Sequence, residues 1–195
     1  MHANMTVAEL WRPNERSTAL VYDAVLIVLG SVLVALCAQI AIGFPVPISA
    51  QTFAVLLIGA LLGPRRGAIC MLAYLAEGAA GMPVFAHGKA GLAALAGPTG
   101  GYLVGFVPAA WIVGLLAKSG WDRRFWTTLA AMVIGNVVIY VFGVSLPTVL
   151  IGFGPALASG VYPFLIGDLA KGFLAAMLLP AGWKLLDRFQ LHGGQ

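Results

Sequence analysis

A long apolar run from Ala19 to Ile42 is the feature that most restricts what this chain can fold into. A helix that crosses a bilayer needs about 20 predominantly apolar residues, and this run reaches that length. Gly43, Pro45 and Pro47 follow it and end the helix. Hydrophobic residues make up 61% of the chain and charged residues only 9%, against about 25% charged in a soluble domain. The sequence therefore predicts a polytopic membrane protein.

Five further segments have the composition of helices. They are Gln51 to Leu62, Gly67 to Ala80, Pro98 or Thr99 to Lys118, Phe125 to Val144, and about Val161 to Arg188. The polar turn Gly63 to Arg66 separates the second helix from the third, and Pro147 to Gly160 is expected to be a long Gly/Pro loop with some interfacial character. We predict an all-α membrane protein with residues 1–18 as a cytoplasmic segment, 19–188 as a six-helix transmembrane domain and 189–195 as a cytoplasmic tail. The mixed, polar first 18 residues contain no cleavable signal pattern.

The basic residues predict the orientation of these helices, because cytoplasmic loops are enriched in Lys and Arg. With the amino terminus inside, Lys89 is the outer basic residue and Lys171 lies within the membrane. The inner segments then hold Arg12, Arg16, Arg65, Arg66, Lys118, Arg123, Arg124, Lys184 and Arg188. This distribution predicts that both termini are cytoplasmic and that the protein lies in a bacterial or archaeal cell membrane.

Asp168 and Lys171 lie inside the last apolar run, about one turn apart on one helix face. Charges at membrane depth are costly, usually face the protein interior or a wet cavity, and mark functional sites. With the helix running from outside to inside, the pair is roughly 10 to 15 Å below its outer end at 1.5 Å per residue. One interpretation is an ion pair that only locks helices together. The other is a binding site for a ligand with N–H donors and an anionic group, such as a small acid with an amide-like head.

Other polar or small residues in apolar surroundings are candidates for the same site or for helix packing. The connector Gly43 to Gln51 is either an ordinary loop or a lid, with Gln51 offering an amide and Phe44, Pro45 and Pro47 covering an outer pocket. Glycines 97, 101 and 105 form a ridge for close helix packing, or leave room for a ligand beside Tyr102. Asn136 and Tyr140 are either ligand contacts or interhelical hydrogen-bonding groups.

Several function classes have little support. No phosphate-binding Gly-x-x-x-x-Gly-Lys-Ser/Thr loop occurs, and three scattered histidines give no metal signature, so neither a cofactor nor a metal is expected. The formal net charge of +4 is spread among short connecting segments and does not suggest nucleic-acid binding. An intramembrane enzyme acting on a lipid or acyl substrate through Glu77 and His87, and a purely structural subunit, remain as alternatives.

Five motifs in order resemble the BioY family, the biotin-binding S components of energy-coupling-factor transporters. They lie within about Ala35 to Leu179. They are Pro47 to Pro64, Tyr74-Leu-Ala-Glu-Gly-Ala-Ala-Gly-Met-Pro-Val-Phe85, Gly97-Pro-Thr-Gly-Gly-Tyr102, Gly135-Asn-Val-Val-Ile-Tyr140 and Asp168-x-x-Lys171.

The resemblance implies capture of biotin from the outer side by an S-component-like bundle in the lipid membrane. Asp168 would accept the ureido hydrogens and Lys171 would contact the ureido carbonyl or the carboxylate. Secondary candidates by motif position and side chain are Gln51, Tyr74, Lys89, Tyr102, Asn136 and Tyr140.

The resemblance also implies partners, namely a transmembrane subunit and two ATP-hydrolysing subunits. The family carries an alanine pair on its first helix for this contact, where the present chain has Val34 and Ala38. Ser31, Ala35 and Ala38 offer an offset small face for docking instead. An S component for another vitamin and a solitary biotin transporter are the alternatives within the transporter class.

Overall fold

The structure, a computed structural model, describes residues 5–42, 46 and 48–192 and is built mainly from helices. In chain order these are α1 (Val7–Leu10), α2 (Arg16–Gln39), α3 (Gln51–Leu62), α4 (Pro64–Ala79), α5 (Leu92–Ala96), α6 (Gly100–Lys118), α7 (Phe125–Gly143), α8 (Ser145–Ile151), α9 (Phe153–Gly160) and α10 (Leu165–His192). Single 3-10 turns cover Ala86–Gly88 and Trp121–Arg123.

A two-stranded hairpin joins α2 to α3, in a chain predicted to be all-α. Its strands are β1 (Ala41–Ile42) and β2 (Ile48–Ser49), and they pair antiparallel with Ala41 opposite Ser49. The backbone N–H of Ala50 donates to the Ile40 carbonyl at 3.1 Å and closes the base of the hairpin. The chain therefore enters α3 just after the second of two paired strands.

Four stretches of the described chain are long and apolar enough to cross a membrane. They are Arg16–Gln39, Gly100–Lys118, Phe125–Ile151 and Leu165–Arg188. The apolar helix α3 is shorter, with 12 residues, and at 1.5 Å per residue it is only about 18 Å long. The first residue of α3, Gln51, is buried in the bundle.

Helices occur at each of the six predicted segments, but several predicted boundaries are wrong. α2 begins at Arg16, before the predicted Ala19, and α10 begins at Leu165 and continues to His192. The predicted polar turn at Gly63 to Arg66 is a break of one residue. Gly63 takes φ 83°, which favours glycine, and Pro64 then opens α4.

The predicted loop from Pro147 to Gly160 is also wrong, because it lies within the short helices α8 and α9. Pro147 and Pro155 each lie in the first turn of their helix, where the missing N–H has no intrahelical partner to lose. Gly152, with φ 86°, separates the two helices. The glycines and prolines therefore bound helices here.

One end of the bundle carries a group of ion pairs, which we call the charged end. Asp23 near the start of α2 accepts from Arg12 at 2.9 Å and from Arg66 in α4 at 2.7 Å. Lys118, the last residue of α6, lies 3.0 Å from Glu9. These contacts bring the start of α2, the start of α4 and the end of α6 together, away from the hairpin.

A buried carboxyl group, Asp122, lies between α6 and α7 in the 3-10 turn there. The indole N–H of Trp183 donates to its Oδ2 atom at 2.6 Å. Burial raises the pKa of Asp122, while the Trp183 hydrogen bond and the Arg123 charge act in the opposite direction. The hydrogen bond ties α10 to this turn.

Close contacts at glycines hold α6 against its neighbours. Cβ atoms at Gly101 and Gly105 would meet the α7 backbone or side chains around Phe142 and Ile139. A Cβ at Gly114 would lie 2.5 Å from the backbone nitrogen of Pro64 in α4. Two of the three glycines in the predicted ridge therefore pack α6 against α7, as the packing interpretation requires.

We expect Gly114→Ala to destabilise the fold by about 1 to 3 kcal/mol, because the added methyl group overpacks a backbone contact that cannot move cheaply. Gly182→Ala in α10 is the matched control, since nothing lies within 4 Å of a Cβ at that position. Unfolding of the purified proteins in detergent would measure the difference. Equal stability of the two variants would contradict the close α4–α6 packing.

Candidate functional site

A cavity lies at the hairpin end of the bundle, between α3, α6, α7, α10 and the loop before α5. It contains about 670 Å³ of space not filled by atoms, a figure that includes open solvent. Aromatic and aliphatic side chains form most of its wall, among them Phe85, Phe106, Ile139 and Phe164. Its polar groups include Gln51, Thr52, Lys89, Tyr140, Asp168 and Lys171. This combination suits a largely apolar ligand with a few polar atoms.

The Asp168–Lys171 pair forms the charged part of the cavity wall. Nζ of Lys171 lies 2.8 Å from Oδ1 of Asp168, one turn away on α10. The Asp168 side chain is 6% exposed and the Lys171 side chain 21%. Such a pair is costly to bury unless its remaining hydrogen-bonding atoms are satisfied.

Neighbouring elements satisfy the ammonium group completely. Lys171 donates to the Ser49 carbonyl in β2 at 2.6 Å, to Thr52 Oγ1 in α3 at 3.0 Å and to Asp168. An ammonium group has three N–H donors, so all three are used within the protein. The pair therefore joins α10 to the hairpin and to α3.

The carboxylate keeps acceptor capacity. Its Oδ1 atom accepts from Lys171 and, at 3.0 Å, from the Thr52 hydroxyl, and its Oδ2 atom accepts from the Tyr140 hydroxyl in α7. A carboxylate can accept about four hydrogen bonds. A ligand with an N–H group therefore finds an acceptor at Asp168, whereas Lys171 has no unused donor.

The sequence interpretation missed Thr52. Its hydroxyl donates to Asp168 and accepts from Lys171, so it bridges the two charged groups. A threonine in the first turn of an apolar helix can have many roles, so its residue type does not indicate a binding site. Its position next to Gln51 was the one sequence feature that pointed to the site. Ser49, Phe85 and Phe164 were missed for the same reason, since each is ordinary by residue type.

Six of the eight predicted ligand-binding residues line the cavity. These are Gln51, Lys89, Tyr102, Tyr140, Asp168 and Lys171. Tyr102 also donates its hydroxyl to the Gly160 carbonyl at 2.8 Å and so anchors the end of α9 beside the cavity.

The other two predicted residues, Tyr74 and Asn136, lie behind the wall. Tyr74 is fully buried, and its ring packs edge-on against Phe85 with 5.5 Å between centroids. Asn136 borders a small internal space shared with Thr52 and Lys171. Among the described residues its Oδ1 atom has no hydrogen-bond partner. The structure therefore places both residues next to groups of the cavity wall without placing them in the cavity itself.

The predicted lid residues Phe44, Pro45 and Pro47 lie outside the described residues. Of the same connector, Val46 lines the cavity and Ser49 supplies the carbonyl that accepts from Lys171.

The three predicted docking residues on α2 differ in exposure. Ser31 and Ala38 are fully buried, and the Ser31 hydroxyl donates to the Glu77 carboxylate in α4 at 2.8 Å. Only Ala35 of the three is partly exposed. Ser31 therefore faces α4, and the outer face of α2 is made of large apolar side chains such as Leu29, Val32 and Leu36.

Neither Glu77 nor His87, the pair proposed for an enzyme, is among the residues that line the cavity. Within residues 5–42, 46 and 48–192, no group of three His, Cys, Asp or Glu side chains could hold a metal ion.

Comparison with known proteins decides the family. The model of the BioY family matches residues 6–188. The chain belongs to the BioY family. The resemblance stated from the five sequence motifs is thereby confirmed.

Relatives in the BioY family cover most of the chain. "Biotin transporter BioY" of Rhizobium etli is 40% identical over 177 residues, which is 85% of this chain and 92% of that protein. "Biotin transporter BioY" of Thermotoga maritima is 39% identical over 135 residues, covering 69% of this chain and 79% of the relative. "Probable biotin transporter BioY" of Pyrococcus horikoshii is 38% identical over 154 residues, covering 78% and 91%. The BioY-family chain is a multi-pass membrane protein of a bacterial or archaeal cell.

A solved structure shares the fold. It is the crystal structure of "the S-component for biotin from an ECF-type ABC transporter", with a TM-score of 0.73 and 24% identity over 87% of this chain and 95% of that one. The bundle is therefore S-component-like, as predicted.

We expect Thr52→Val to lower stability by about 1 to 3 kcal/mol, because the variant keeps the side-chain size but leaves the buried Asp168–Lys171 pair short of one donor and one acceptor. Thr52→Ser, which keeps the hydroxyl, is the matched control. Unfolding in detergent would compare the two proteins. Equal stability of Thr52→Val and Thr52→Ser would show that the Thr52 bridge does not stabilise the Asp168–Lys171 pair.

Proposed function

We propose that this protein captures biotin in the cavity at the hairpin end of the bundle and carries it across the membrane. The main support is the hydrogen-bonded Asp168–Lys171 pair in the wall of a mainly apolar cavity. The relatives of this chain are named biotin transporters. Biotin has two ureido N–H donors and a ureido carbonyl at one end, an apolar ring and tail, and a carboxylate at the other end. The cavity offers acceptors, apolar walls and a second basic residue, Lys89.

The hydrogen bonds within the cavity favour one orientation of biotin. Asp168 has acceptor capacity left, so it accepts a ureido N–H group. The N–H groups of Lys171 are used by Ser49, Thr52 and Asp168, so Lys171 holds the acceptor in place and compensates its charge. The carboxylate then points toward Lys89, on the loop before α5. The ureido head therefore lies against α10 and the acid group lies toward the loop.

Purified wild-type protein should bind biotin, and Asp168→Asn or Lys171→Met should each weaken binding roughly 10- to 100-fold, because each removes one partner of a buried charge-assisted contact. Isothermal titration calorimetry would measure the affinities, and unfolding in detergent would show that the variants are folded.

Asp187→Asn and Lys184→Met are matched controls on the same helix, since neither residue lines the cavity. They should bind like the wild type. Wild-type affinity in both Asp168→Asn and Lys171→Met would exclude this pair as the binding centre, and an inert wild type would exclude the function itself.

We also propose that the chain crosses the membrane six times with both termini in the cytoplasm. The ion pairs of the charged end support this, because Arg12, Arg66 and Lys118 gather there as the inner loops of a membrane protein do. In a variant without Cys37 and Cys70, a cysteine at Ser119 should react with a membrane-impermeant maleimide only after the cells are opened. A cysteine at Gly91 should react in intact cells, and labelling of both positions from the same side would contradict the orientation.

Release of biotin inside is proposed to depend on a transmembrane partner subunit and two ATP-hydrolysing subunits. The fold shared with an S component supports this assembly. The proposed partner surface is the outer face of α2, because its large apolar side chains, such as Leu29, Val32 and Leu36, are exposed.

A further inference from the structure

Tyr74 lies between the cavity wall and the loop that follows α4. Its hydroxyl donates to the Val84 carbonyl at 2.9 Å and accepts from the Gln51 side-chain nitrogen at 2.7 Å. The residue is fully buried and does not line the cavity, whereas Gln51 does. The Tyr74 hydroxyl therefore contacts the cavity wall through the Gln51 side chain, while the Tyr74 ring packs on Phe85.

The direction of these two hydrogen bonds fixes the Gln51 amide. A carbonyl oxygen only accepts, so the single hydroxyl hydrogen of Tyr74 is committed to Val84. The Tyr74 oxygen can then only accept from Gln51, so the NH₂ end of the amide must face Tyr74. The reversed amide would place two oxygens without a hydrogen between them, at the cost of a buried hydrogen bond.

The amide oxygen is consequently turned away from Tyr74. Gln51 is only 5% exposed as a residue and lines the cavity, and the hydrogen bonds of the described residues include none donated to this oxygen. An acceptor held at the wall of a mainly apolar cavity favours a ligand with a matching N–H donor. Gln51 therefore offers an oxygen to the ligand, and its nitrogen is used within the protein.

We infer that Tyr74 is a positioning residue that holds the Gln51 amide with its oxygen toward the cavity, where it accepts a hydrogen bond from an N–H group of the ligand. This inference rests on the proposed function and adds a second acceptor to Asp168. The two ureido N–H groups of biotin would then be shared between Asp168 and Gln51. A ligand with an acceptor in place of an N–H group would meet an oxygen at Gln51 and bind poorly.

Tyr74→Phe tests the inference, because it keeps the ring packed on Phe85 and removes only the hydroxyl. Without the hydroxyl the amide is free to turn, so biotin affinity should fall roughly 5- to 10-fold. The measurement is a double-mutant cycle by calorimetry, with Gln51→Met as the second change. In the Gln51→Met background, Tyr74→Phe should change affinity less than twofold, because the ring contact with Phe85 is kept and the hydroxyl no longer has an amide to orient.

If Tyr74 had only a structural role, the double-mutant cycle would give different affinities. If Tyr74→Phe weakens binding equally in both backgrounds, or leaves it unchanged in the wild-type background, the inference is wrong while biotin binding by the wild type still supports the proposed function. If the wild type binds no biotin, the proposed function fails before the cycle is measured. The unfolding midpoint of Tyr74→Phe in detergent separates a loss of fold from a loss of amide orientation.

Discussion

The buried ion pair of Asp168 and Lys171 is the interaction on which the rest of the site depends. Two charges within an apolar bundle are tolerated only when their hydrogen-bonding atoms are satisfied. The hairpin supplies a carbonyl, α3 a threonine hydroxyl and α7 a tyrosine hydroxyl. The contacts that offset the cost of burying the two charges therefore also fix the positions of three other elements around the cavity.

Helix packing creates the cavity whose wall contains this pair. Glycines in α6 bring it against α4 and α7, while the short α3 begins inside the bundle below the hairpin. Gln51 and Thr52 consequently lie at the cavity wall, next to the pair on α10. Two layers of polar residues result, with Thr52 and Gln51 facing the cavity and Tyr74 behind Gln51.

The sequence predicted the helices well because apolar length and glycine or proline breaks determine where a membrane helix can lie. It predicted Asp168 and Lys171 because charge in an apolar run is costly and so conspicuous. Thr52 carries no such cost and was missed. Tyr74 and Asn136 lie behind the cavity wall, and Ser31 and Ala38 lie inside the bundle. The sequence did not indicate these positions, because the rotation of each helix toward its neighbours depends on packing between distant segments. The Gly/Pro-rich stretch from Pro147 to Gly160 was interpreted as a loop, although its two prolines lie in the first turns of two helices, where proline is tolerated.

The most direct test of the central claim is an experimental structure of the purified protein with biotin bound. We expect the ureido head of biotin beside Asp168 and Gln51, with the Asp168–Lys171 contact retained and the carboxylate toward Lys89. Biotin bound elsewhere on the protein, or bound in the cavity with its carboxylate against Asp168 and Gln51, would contradict this account.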